Sequence, residues 1–194
     1  MKTGTLALIV IVALVLVLGG CGCSSYNNLI RGDQSVKSSW SNVETNYQRR
    51  TDLYNSVVKT IQGSAAFEKS TLNEVIQARA NATRVQVNLD NPQSLQQFEQ
   101  AQNQLQGAFG RLLAVAENYP DLKANTEFHH LQETLTGLEE SIQRARRYYN
   151  ASARDLNNAV EVFPANLISG PFGFKRMSYF EVDETEKQNV KVQF

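Results

Sequence analysis

Phe128, Leu131, Leu135, Leu138, Ile142, Ala145, Tyr149, Ser152, Leu156, Ala159 and Phe163 follow one another at alternating spacings of three and four. An α-helix sets such positions along one face, so residues 128–163 need a partner helix over their whole length. At ~1.5 Å per residue this helix runs on the order of 50 Å. Pro164 stops it.

Three further amphipathic segments precede it. Val36, Trp40, Val43, Tyr47, Arg50, Tyr54, Val57 and Ile61 form a stripe with one charged member, and Gly63-Ser64 marks its end. A shorter helix is expected from about residue 65 to 86, with Phe67, Leu72, Val75, Ile76 and Ala82 on its apolar side and Arg79 interrupting them. Asn91 can cap the next helix, with Pro92 in its first turn. Leu95, Phe98, Ala101, Leu105, Ala108, Leu112 and Val115 supply that helix's stripe as far as about Asn118. Asn118-Tyr119-Pro120-Asp121 is a turn signal. Four such segments joined by short breaks predict an all-α fold, an elongated antiparallel four-helix bundle that is uneven at one end.

Residues outside the bundle divide into a leader and a tail. Leu6 to Leu18 is purely aliphatic, and Lys2 is the only charged side chain before Arg31. Gly4 to Tyr26 is long enough to span a bilayer. Leu18-Gly19-Gly20-Cys21 also has the form of a lipobox, in which Cys21 would carry the lipid and become the mature terminus. Retained helix and lipid anchor both attach the chain to a membrane. No Ala-x-Ala cleavage pattern favours full secretion. Positive charge near the leader (Lys2 on one side, Arg31 and Lys37 on the other) is too evenly divided to set sidedness. The expected division is an anchor at 1–26, a bundle at 27–163 and a tail at 164–194. The tail holds Phe172, Gly173 and Phe174 among prolines and glycines, so it should dock irregularly on the bundle and fray after Phe180. Val190 to Phe194 alternates like a short strand with no evident partner.

Chemistry is sparse. Basic and acidic residues balance at 19 each, which argues against nucleic acid as a partner. Cys21 and Cys23 are the only cysteines, so the folded part has no thiol nucleophile and no disulfide. His129-His130 are adjacent and point about 100° apart on a helix, the wrong spacing for one metal. No Glu-x-x-His occurs, so a di-iron bundle is excluded, and no P-loop, G-x-S-x-G or dinucleotide fingerprint is present. No catalytic residue, metal site, cofactor or small-molecule ligand is expected. The densest polar clusters are Arg49-Arg50-Thr51-Asp52 and Arg144 to Asn150, including Arg146 and Tyr149. They could bind an acidic segment or a lipid phosphate. The plainer reading pairs Arg50 and Arg79 with carboxylates between helices and leaves Arg144, Arg146 and Arg147 solvated.

Several strings in order carry a resemblance. Tyr26-Asn27-Asn28-Leu29-Ile30 follows the leader, then Trp40-Ser41-Asn42-Val43-Glu44 and Tyr47-Gln48-Arg49-Arg50-Thr51-Asp52-Leu53. Ala78-Arg79-Ala80, Glu117 to Ala124 (with Tyr119-Pro120), Ile142 to Asn150, Phe163-Pro164-Ala165-Asn166, Gly173-Phe174 and Phe180-Glu181 complete the set. Together they resemble the LemA family of bacterial membrane proteins. Relatives continue the Arg-Arg-x-Asp-Leu string with Ile-Pro-Asn-Leu-Val, where this chain has Tyr54-Asn55-Ser56-Val57-Val58 and therefore no proline kink. The resemblance implies a helical bundle on a single-pass stalk in the bacterial inner membrane, and it supplies no reaction. Trp40 and Tyr119-Pro120 would fix helix ends, and Phe163-Pro164 and Gly173-Phe174 would fix the tail. The function expected is a non-enzymatic interaction or scaffold module that meets other proteins of the cell envelope. The alternative is a ligand sensor or unfamiliar enzyme in which Arg50, Arg79 and Tyr47 converge on a cavity.

Overall fold

The computed structural model describes residues 3–62 and 68–180. Phe67, Gly63-Ser64 and the strand-like 190–194 lie outside the described residues. The fold is all-α: α1 (Thr3–Gln62), α2 (Lys69–Arg84), α3 (Pro92–Ala116), α4 (Pro120–Lys123), α5 (Thr126–Glu161) and α6 (Asn166–Ser169), with no strand among the described residues. The chain divides into two compact units, one of 1–45 with 147–177 and the other of 46–146 with 178–194.

The second unit is the four-helix bundle. Its core joins Tyr54, Val57 and Ile61 of α1, Leu72 and Val75 of α2, Leu105, Phe109 and Leu112 of α3, and Phe128 of α5. Removing each large side chain from water stabilises by about 1.5–3 kcal/mol. Directions follow from the contacts. Tyr47 meets Phe98, Arg50 meets Gln102 and Tyr54 meets Phe109, so α1 and α3 run parallel. Arg50 also meets Glu139, which lies after Phe128 and before Arg146 on the returning α5.

Local signals explain most ends. The Asn91 side chain accepts from the Gln93 N–H at 3.0 Å and caps α3, with Pro92 in its first turn. Asn125 caps α5 in the same way, accepting from Glu127 N–H at 2.9 Å and Phe128 N–H at 3.2 Å. The expected turn at Tyr119-Pro120 is filled by the short α4, where Pro120 takes the first helical place and lacks an N–H to leave unpaired.

In the first unit α1 and α5 pack antiparallel. Trp40 meets Tyr149 edge-on with centroids 5.5 Å apart, Ser39 meets Ser152 at 2.9 Å, and Gly32 lies against Leu156. Small residues let the two backbones close up: a Cβ on Gly32 would stand 3.1 Å from Leu156 Cδ1. Asn157 of α5 ties down the tail. Its Nδ2 donates to the Met177 carbonyl at 2.9 Å, and its Oδ1 accepts from the Met177 N–H at 2.7 Å.

Four expectations are corrected. The helix bearing Trp40 begins at Thr3 rather than after the leader, so Trp40 lies in mid-helix and fixes no end. Ile76 is exposed, because the buried face of α2 is Leu72, Val75 and Ala82. The long stripe is buried at Phe128, Leu138, Ile142, Ala145, Tyr149 and Leu156, half-buried at Leu131, Leu135, Ser152 and Ala159, and exposed at Phe163. An ideal helix drifts ~20° per heptad, and the inward face moves accordingly to Ala153 and Asn157. Phe163 lies beyond the end of α5, so helical periodicity no longer places it.

Candidate functional site

The densest buried polar group is centred on Arg50, at 2% exposure. The α1 stripe carries its aliphatic stem inward. Its Nη1 reaches Glu139 Oε1 at 3.2 Å, and its Nη2 reaches Gln102 Oε1 at 2.8 Å. The guanidinium lies 4.7 Å from the Tyr47 ring centre and 5.9 Å from that of Tyr54, within reach of the ring quadrupoles. Its Nε finds no acceptor among the described residues. Tyr54 stacks on Phe109 at 3.8 Å, and burial pushes its hydroxyl up to about 12. Burial raises Tyr47 too, opposed by the charges of Arg146 and Arg50.

A second group forms where the tail crosses the same unit. Arg146 binds Glu99 at 2.6 Å and lies 4.7 Å over the ring of Phe180, which is buried. The expectation of a solvated Arg146 is thus corrected. A charge held by a carboxylate and an aromatic face needs no water. Arg144 is exposed, with Glu140 at 3.9 Å.

Arg49 and Asp52 lie outward, on a groove of about 500 Å³ that Ser56, Thr134 and Ser141 also line. A second groove of about 630 Å³ lies between α2 and α3, with Glu74 and Arg111 ion-paired at its rim. That pairing holds the Arg111 guanidinium above its usual range. Arg79 is half-buried on α2 and lines neither groove. Neither of these two grooves is lined by Arg50, Arg79 or Tyr47. Arg50 and Tyr47 touch, and the plainer reading of Arg50 as an internal ion pair is the observed one. Arg79 makes no ion pair among the described residues.

The remaining candidates lie in the first unit. Cys21 and Cys23 are exposed on α1. Trp40 and Tyr149 form the buried aromatic pair, and Asn150 is half-buried one residue on. Phe163 is exposed and Pro164 half-buried, joined by a cis peptide bond. Gly173 has φ +77°, a conformation that glycine adopts without strain. It sits between Phe172 and Phe174, whose rings lie 5.0 and 5.9 Å from Tyr26. Gln102, Phe109, Asn125 and Asn157 escaped the reading of the sequence. Asn125, just before the long stripe, had a signal that could have found it: an Asn at the head of a helix.

No side chain in these groups is arranged as a nucleophile beside a base. Among the described residues no cluster of three His, Cys, Asp or Glu could hold a metal ion. What the arrangement can do is hold α1, α3, α5 and the tail in register.

The chain is similar to magnetosome protein MamQ 1 of Paramagnetospirillum magneticum, 26% identical over 175 residues, and spans 80% of itself and 64% of that protein. It is 25% identical over 174 residues to MamQ of Magnetospirillum gryphiswaldense, again across 80% of itself and 64% of that relative. Against protein LemA of Metamycoplasma hominis the identity is 24% over 164 residues, 84% of this chain and 72% of that one. The LemA family profile matches residues 39–194, from just before Trp40 through the bundle and tail. The chain belongs to the LemA family.

Proposed function

We propose that this chain is a membrane-anchored scaffold whose helical surface meets other proteins of the bacterial envelope and which catalyses no reaction. One observation carries the reading. From Leu8 to Leu16 every side chain of α1 is exposed, and Leu16 reaches 71%, in a helix that is long and apolar enough to cross a membrane. A run of this kind left uncovered by protein is suited to lipid, as a single pass of the inner membrane. The polar groups of the bundle support the second half, because Arg50, Glu139, Gln102, Arg146 and Glu99 are engaged with one another rather than presented to a substrate. In this reading residues 1–26 anchor, 27–163 form the bundle and 164–194 form the tail. Cys21 stays a thiol within a retained helix, and mass spectrometry of the mature chain distinguishes that from a lipidated terminus.

The test is co-purification after mild crosslinking in intact cells. The full chain should enrich specific envelope proteins over a control bearing only residues 1–26. Equal recovery by the two would remove the scaffold role. A sensor or enzyme gains some support from the groove beside Arg49 and Asp52, and alanine at both positions would then abolish a ligand-dependent change that the scaffold does not have.

A further inference from the structure

Large apolar side chains exposed to solvent recur in the first unit, away from the leader. Val162 is 60% exposed, Phe163 73%, Leu167 65% and Phe172 62%. A monomeric water-soluble surface rarely gathers such groups in one place. They fall within a single stretch of twelve-odd residues that is closed on itself by backbone bonds. Asn166 N–H donates to Val162 C=O at 3.1 Å, Phe172 N–H to Ile168 C=O at 3.1 Å, and Phe174 N–H to Ser169 C=O at 2.9 Å.

This segment is seated on α1 at Tyr26, past the aliphatic run that ends at Leu18. Tyr26 touches both Phe172 and Phe174. At ~1.5 Å per residue, Tyr26 stands about 5 Å along the axis past Cys23, near the end of a ~20-residue span. Arg31 is the first charged side chain beyond it, and Lys175-Arg176 follow Phe174 directly. Aromatic rings beside a span, followed by basic residues, match the depth order of a bilayer interface.

We propose that residues 162–174 form a collar seated in the interface of the bilayer that α1 crosses, with Phe163, Leu167 and Phe172 reaching the boundary between headgroups and acyl chains beside Tyr26. The occupant of this apolar surface is lipid, because the segment is seated at Tyr26 on the same helix that carries the exposed apolar run, at the end of the proposed span. The inference rests on the reading of α1 as a membrane span.

The experiment uses the full chain in two kinds of phosphatidylcholine nanodisc, with acyl chains brominated near the headgroup, which reads positions 172 and 167, or near the methyl end, which reads position 15. Tryptophan emission is read in Phe172→Trp, Leu167→Trp, Val15→Trp and Gln143→Trp variants, with the parent's buried Trp40 as background. Position 143 is exposed on α5, in the other unit. Bromine should cut the emission added at 172 and at 167 by at least half and leave that at 143 unchanged. If 172 and 167 are untouched while 15 is quenched, the span stands and the collar is overturned. If 15 is untouched as well, the span fails and takes the collar with it. If 172 and 167 are shielded from both bromine and aqueous acrylamide, protein covers the surface, a second copy included, and the proposal is wrong.

Discussion

Replacing Glu139 with glutamine tests what the buried arginine contributes. Glu139→Gln keeps the shape and an acceptor oxygen but removes the charge facing Arg50 at 3.2 Å. Two unit charges ~4 Å apart attract by roughly 4 kcal/mol at an effective dielectric of ~20. Breaking one side of a buried pair typically costs ~3–5 kcal/mol, because a desolvated charge is left behind. Arg50 is nearly sealed, but the Glu139 side chain is 29% exposed, so water screens part of the attraction. A loss of about 2 kcal/mol follows, or roughly 4–8 °C in Tm for a chain of this size. Arg50→Met removes the cation together with its desolvation cost. It strands chiefly the Gln102 oxygen, for about 1 kcal/mol. The double variant should then resemble Arg50→Met, with a coupling of about 2 kcal/mol between the two sites. Thermal unfolding of the full chain in detergent, followed by far-ultraviolet circular dichroism, reads all four proteins. A Tm for Glu139→Gln within about 1 °C of the parent, or a larger loss in Arg50→Met than in Glu139→Gln, would refute the reasoning.

Other expectations follow from particular contacts. Tyr54 has a folded pKa of about 12 against 10.0 in the open chain, so stability is fully present below pH 10 and falls as pH rises towards 12, by up to about 3 kcal/mol. Tyr54→Phe should flatten that alkaline loss in denaturant melts, and an unchanged slope would count against it. Asn157→Ala removes both bonds to Met177 and should cost about 1–3 kcal/mol locally, seen as faster tryptic cleavage after Lys175 or Arg176. Asn157→Asp restores only the acceptor and should fall between the two. Trp40→Ala opens a cavity beside Tyr149 and should cost about 3–5 kcal/mol, whereas Trp40→Phe costs less. Gly32→Ala gains about 1 kcal/mol of helix propensity and gives most of it back against Leu156, so its Tm should hardly move, while Gly32→Phe forces α1 and α5 apart and lowers it clearly.

Helical periodicity made the architecture legible, because burial in a bundle repeats along the chain. Arg50 stood out as a charge on an apolar stripe and proved to be the buried ion pair. The same periodicity understated α3. Its inward face includes Gln102 and Phe109 beside Ala101, Leu105 and Ala108, because α3 packs against α2 and also meets α1, and so needs a wide apolar side. Asn157 read as polar surface, since nothing in its sequence neighbourhood reveals a distant backbone segment that matches its amide. Phe163 and Phe172 were legible as apolar but not as outward-facing. The rules that send such residues inward assume water outside, and the collar proposed above puts lipid there instead.

The unbroken run of α1 from Thr3 past Trp40 has a mechanical consequence. The backbone stays helical from the greasy stretch to the seam where Gly32 and Ser39 meet α5. A roll or tilt imposed on the segment around Leu14 must therefore be felt at Tyr26 and in the first unit's α5 contacts. Within that unit the lever and the load are one piece.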